Sequence, residues 1–130
     1  MDFRTNNYIS ILCGFTTCLE RISIMMKVNE PHSIATEAMA WYAADIKEAM
    51  RCIKLANGGK AALDPVTDNV GKTLSTLQGM YNYHKRHELF VENQQNYAEG
   101  FGQDLYLDTL EEAIRCVQLI NYRPVLPSGG

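Results

Sequence analysis

The sequence has four cysteines and no C-x-x-C pair among them. Zinc and redox sites built on that spacing are therefore excluded, and Cys13, Cys18, Cys52 and Cys116 read as free thiols that pack like small hydrophobes. Positive charge is also short: 12 Lys and Arg face 15 Asp and Glu, for a formal net charge of -3. Such a balance does not neutralise a run of phosphates, so nucleic acid is set aside as a partner. No apolar run comes near the roughly 20 residues that a membrane span needs. The opening Met1-Asp2-Phe3-Arg4-Thr5-Asn6-Asn7 lacks the basic-then-apolar order of a signal peptide. The expectation is a cytoplasmic protein with no membrane partner. Neither a G-x-S-x-G elbow, nor a phosphate-cradling glycine loop, nor a Cys/His pair in a nucleophile setting is present. Catalysis is thus the lesser expectation, and no cofactor is expected.

What is present is helical period. The 130 residues, 46% hydrophobic and 21% charged, suit one globular domain. Tyr8, Leu12, Phe15, Leu19, Ile22 and Met26 recur at spacings of four and three and predict a first helix over 6–28, closed by Asn29-Glu30-Pro31. Ser33 can cap a second helix over 33–57, with Glu37 in its first turn, the stripe Met39, Tyr42, Ile46, Ala49, Ile53 and Ala56, and Gly58-Gly59 to end it. Thr67 or Asp68 can cap a third over 68–91, bearing Val70, Leu74, Leu77 and Tyr81 and continuing past His84 toward Val91. The polar, glycine-punctuated stretch Glu92–Gln103 predicts a long loop. Asp104 or Asp108 then caps a fourth helix over 104–121, striped by Tyr106, Leu110, Ala113, Val117 and Ile120, with a tail over 122–130. No stretch alternates with period two for long enough to be a strand. The expected fold is all-α, an antiparallel four-helix bundle.

Residues 48–57 (EAMRCIKLAN) repeat as 112–121 (EAIRCVQLIN), identical at six of ten positions at an offset of 64. This opens the reading of a duplicated helical hairpin, with coincidence between two amphipathic helices as the alternative. A true duplication would set Arg51 and Arg115 in equivalent places, where a paired-arginine site for a small anionic ligand is one reading. Ordinary Glu48–Arg51 and Glu112–Arg115 pairs three residues apart are the other.

Asp45-x-x-Glu48 and Asp108-x-x-Glu111 each put two carboxylates on one helical face. Four converging carboxylates could hold Mg²⁺ beside a nucleotide's phosphates, as in the all-α nucleotide pyrophosphohydrolases that these motifs weakly resemble. Solvated acidic faces are the plainer reading. His84, His87 and Glu88 offer metal-binding atoms but no E-x-x-H arrangement, and aromatic packing accounts for them as well. Trp41 and Tyr42, with Tyr97, Phe101 and Tyr122 at helix ends or in the expected loop, are the candidates for contact with a protein partner, since aromatic side chains dominate binding hot spots. Met25, Met26, Met39, Met50 and Met80 add adaptable apolar volume.

The run from Ala62-Leu63-Asp64 through Leu74, Leu77, Met80-Tyr81-Asn82-Tyr83, Arg86 and Asn93 to Leu110-Glu111-Glu112 resembles the C-terminal half of the FliS flagellar export chaperone family. Met80 and Asn82 stand where that family has leucine and aspartate. The resemblance implies an antiparallel bundle that wraps an unfolded flagellin tail and prevents premature assembly. The functional expectation is a non-catalytic interaction module, an adaptor, chaperone or small inhibitor or immunity protein, with a homo-oligomer as a compatible assembly.

Overall fold

The computed structural model describes residues 2–30, 33–93 and 97–122, with side chains outside 87–104. Four helices carry the fold: α1 (Phe3–Asn29), α2 (Ile34–Ala56), α3 (Val70–Asn93) and α4 (Tyr97–Asn121). The described residues contain no strand. The chain is all-α, with α1 packed on α2, α3 on α4, and the two hairpins joined chiefly where α2 meets α4.

The caps explain the boundaries. Asp2 starts α1 by accepting from the Thr5 N–H at 2.8 Å, and Ser33 starts α2 by accepting from Ala35 N–H at 3.2 Å. At the end of α2, Gly58 adopts φ 78° and the Gly59 N–H reaches back to the Lys54 carbonyl at 2.8 Å. A residue with a Cβ is strained at that left-handed angle, which is why the helix stops at glycine. Asn69, rather than Thr67 or Asp68, caps α3, its Oδ1 accepting from Lys72 N–H at 3.0 Å.

The long loop expected over Glu92–Gln103 is corrected: 92–93 belong to α3 and 97–103 to α4. The stretch has no proline, and its Glu, Gln and Ala residues are good helix formers, enough to carry Gly100 and Gly102 at about 1 kcal/mol each. The proposed caps Asp104 and Asp108 accordingly sit inside α4.

The core consists of Leu12, Ile46, Ala49, Cys52, Ile53, Leu77, Leu110, Ala113, Cys116 and Val117. Its central layer obeys the 64-residue offset. Ala43, Asp45, Ile46, Ala49, Cys52 and Ile53 are buried on α2, and so are Leu107, Thr109, Leu110, Ala113, Cys116 and Val117 on α4. Reciprocal contacts cross between them: Asn57 Nδ2 lies 3.9 Å from Cys116 Sγ, and Asn121 Nδ2 lies 3.7 Å from Cys52 Sγ. The two helices therefore run past each other in opposite directions about a local two-fold.

The first helix keeps most of its expected stripe, with Tyr8 and Leu12 buried, Phe15 and Leu19 packed on the core and Met26 half-buried, but Ile22 is exposed. The buried residues of the helix are Thr5, Tyr8, Leu12, Thr16 and Ser23. Ile22, Ile24, Met25 and Val28 are exposed, Val28 by 80%. By length and composition α1 also meets the requirement of a membrane-spanning helix, although most of the qualifying stretch is not buried in the bundle. Counting uninterrupted apolar residues misses this because Glu20 and Arg21 divide the run.

Candidate functional site

Among the described residues no Cα of α1 comes within 8 Å of a Cα of α3, and the two helices meet through side chains at the Phe15–His84 contact. Between them lies a groove of about 610 Å³. Helical period builds both walls: α1 contributes Phe15, Cys18 and Leu19, and α3 contributes Thr76, Met80 and Tyr83. Gly79 leaves space where a side chain would stand, since a Cβ built there meets nothing within 4 Å. Aromatic rings close one end, with Phe15 5.4 Å from Tyr106 and 5.8 Å from His84 between ring centroids. Tyr42 of α2 and Lys72 of α3 also line the groove. Lys72 Nζ sits 5.0 Å above the Trp41 ring and 4.0 Å from Asp45 Oδ2, so one cation joins the groove to the exposed indole.

The contact candidates thus divide. Trp41 and Tyr42, both exposed, come together beside the groove. Tyr122 is 58% exposed at the end of α4 and does not line it. The side chains of Tyr97 and Phe101 lie outside the described residues, as do those of His87 and Glu88. Phe15, Leu19, Met80 and Tyr83 are groove residues that sequence reasoning missed, because an i, i+4 apolar pair looks the same whether it faces a core or a cleft. The available signal was the first helix itself, whose apolar residues occupy more than one face.

The four carboxylates do not form a common site. Asp45 is fully buried and accepts hydrogen bonds from Thr73 Oγ1 at 3.1 Å and Thr76 Oγ1 at 2.8 Å, which fastens α2 to α3. Glu48 is held by Arg51 in a two-point pair, with Nε to Oε1 at 2.8 Å and Nη2 to Oε2 at 2.7 Å. Burial opposes its charged form, but the bonds from Arg51 and from the Val66 N–H outweigh that and lower its pKa. Asp108 and Glu111 are exposed on α4, where Arg4 lies 3.9 Å from Asp108 and the Tyr81 hydroxyl donates to Glu111 at 3.1 Å. No group of three or more His, Cys, Asp or Glu placed to hold a metal occurs among the described residues.

Arg51 and Arg115 likewise turn to their own glutamates rather than forming a shared anion site, and the bond to Glu48 or Glu112 raises the pKa of each. Behind them burial pushes the Cys52 thiol up to about 11 and the Cys116 thiol up to about 12, the neighbouring glutamates adding to the effect. Comparison of the chain with protein-family models, curated proteins and solved structures finds no match.

Proposed function

We propose that this chain is a non-catalytic protein-interaction module whose binding site is the groove between α1 and α3. The observation that carries the reading is the groove's construction: about 610 Å³ of apolar-walled space between two helices whose backbones stand more than 8 Å apart at every Cα pair of the described residues. A groove between two helices, left open along α3 by Gly79, accepts an amphipathic helix presenting side chains at i, i+3, i+4 and i+7. Lys72 at the rim favours an acidic residue on the partner's polar face. The exposed Ile22, Ile24 and Met25 extend the apolar surface of α1, and exposed patches of this kind mark interaction sites.

Protein rather than lipid is favoured because α1 is tied to α2 through polar groups. Ser23 Oγ donates to the Thr36 carbonyl at 3.3 Å, and Lys47 pairs with Glu20 at 2.5 Å. A spanning α1 would have to break both bonds. An export chaperone of the kind implied by the FliS resemblance is one form of this module, and of the residues carrying that resemblance Met80 and Tyr83 line the groove.

The test fills the groove. Gly79→Leu places a side chain in open space, and Gly14→Leu does the same on α1 away from the lining. A stoichiometric protein captured from the host lysate by the wild type and Gly14→Leu, but lost with Gly79→Leu, supports the reading. Capture insensitive to Gly79, or saturable uptake of a small apolar ligand or liposomes in place of a protein, overturns it.

A further inference from the structure

The two Glu-Arg pairs occupy equivalent positions on α2 and α4, yet among the described residues a non-helical segment covers the first and none covers the second. At the first, the Arg51 Nη1 left over from the pair with Glu48 donates to the carbonyls of Ala62 at 3.2 Å and Leu63 at 3.1 Å. Glu48 Oε1 accepts the Val66 N–H at 2.8 Å. The pair therefore grips a non-helical stretch of chain through two consecutive carbonyls and an N–H three residues on. Because the contacts are to main chain, the side chain of Leu63 remains 86% exposed.

At the second pair the same residue types stand in register, but both Arg115 nitrogens close on a single glutamate oxygen, leaving the other oxygen open. Arg115 Nε and Nη2 both engage Glu112 Oε1, and the Cys116 thiol donates to that oxygen at 3.1 Å, as Cys52 does to Glu48 at 3.5 Å. Among the described residues no group meets Arg115 Nη1 or Glu112 Oε2. The side chains of Arg51 and Glu48 are 6% and 3% exposed, whereas those of Arg115 and Glu112 are 56% and 23% exposed. A cavity of about 310 Å³ lies against them, walled by Asp2, by Thr5 and Tyr8 of α1 and by Asn57.

We propose that Glu112 and Arg115 form a docking site for a non-helical segment of a partner protein, gripped through its main chain as residues 62–66 are gripped by Glu48 and Arg51. Asp2, Asp108 and Glu111 around the cavity outnumber Arg4, so the segment best suited carries a lysine or arginine. This site is separate from the groove and does not depend on it.

The probe is a blocked peptide with the sequence of residues 60–67, Lys-Ala-Ala-Leu-Asp-Pro-Val-Thr, titrated into the full chain and followed by amide NMR. Saturable shifts confined to residues 2–8 and 111–116 are expected. Arg115→Ala and Arg115→Lys should each weaken binding at least tenfold, the second because lysine keeps the charge and loses the fork. Gly79→Leu should leave the affinity unchanged, which separates this site from the groove. Absence of saturable shifts, shifts that survive both Arg115 variants, or binding that emerges only after deletion of 123–130 overturns the proposal. The last result would assign the site to the chain's own tail.

Discussion

Asp45 and Glu48 are buried charges, and each is tolerable only because its lone pairs are filled. Arg51→Ala leaves Glu48 enclosed without its cation, and removal of one partner of such a pair costs about 3–5 kcal/mol. The same change at the exposed Arg115 should cost at most about 1 kcal/mol. Urea unfolding of the two variants measures the contrast. The pair also sets an acid limit. The Glu48 pKa is lowered in the folded state, so its contribution is present above the ordinary carboxyl value, about 4.3, and is lost as pH falls through the lowered folded value. Glu48→Gln should flatten that part of the stability profile. The thiols divide in the same manner. Cys13 and Cys18 are exposed, while Cys52 and Cys116 are buried, with pKa values near 11 and 12. A disulfide exchange reagent at pH 8 should titrate two thiols quickly and the other two only on unfolding. Four equally fast thiols would contradict the packing of α2 on α4.

Each helix is delimited by a few residues, and the end of α2 shows how sharply. Gly58 has nothing within 4 Å of a built Cβ, so Gly58→Ala meets no clash and suffers only from its φ of 78°. That should cost about 1–2 kcal/mol in thermal or urea unfolding. Gly14→Ala, in the exposed interior of α1 and equally free of neighbours, should instead stabilise by up to about 1 kcal/mol. If both changes had the same sign, the left-handed cap would not be what ends α2. These ends were legible in the sequence wherever capping chemistry is local: Ser33, Gly58-Gly59 and Asn29-Glu30-Pro31 all mark boundaries. They were not legible where several candidates adjoin, as at Thr67-Asp68-Asn69, where three adjacent residues can each cap. Nor were they legible over 92–103, where polarity imitates a loop although 92–93 and 97–103 are helical.

The whole molecule consists of two hairpins joined by small side chains. Ala49 and Cys52 on one and Ala113 and Cys116 on the other are all fully buried and let the central helices approach closely. The repeat of 48–57 in 112–121 left duplication and coincidence both open in the sequence, and the reciprocal Asn–Cys contacts then set the two stretches in equivalent places. The groove was not readable, because it depends on how far apart α1 and α3 stand, and no residue pattern records a distance between helices. The same limit applies to α1, which buries Thr16 and Ser23 while Ile24, Met25 and Val28 face outward. If that outer face serves association, its apolar side chains contribute almost nothing to the isolated fold. Ile24→Lys combined with Val28→Lys should then leave urea stability within about 0.5 kcal/mol, the usual span for surface changes. Ile46→Ala in the core should cost about 2–5 kcal/mol. The double lysine variant should at the same time lose any self-association seen by sedimentation and any protein captured through the groove, because two cations cannot be desolvated beneath an apolar partner. Loss of stability without loss of association would show instead that the outer face of α1 belongs to the core of a larger fold.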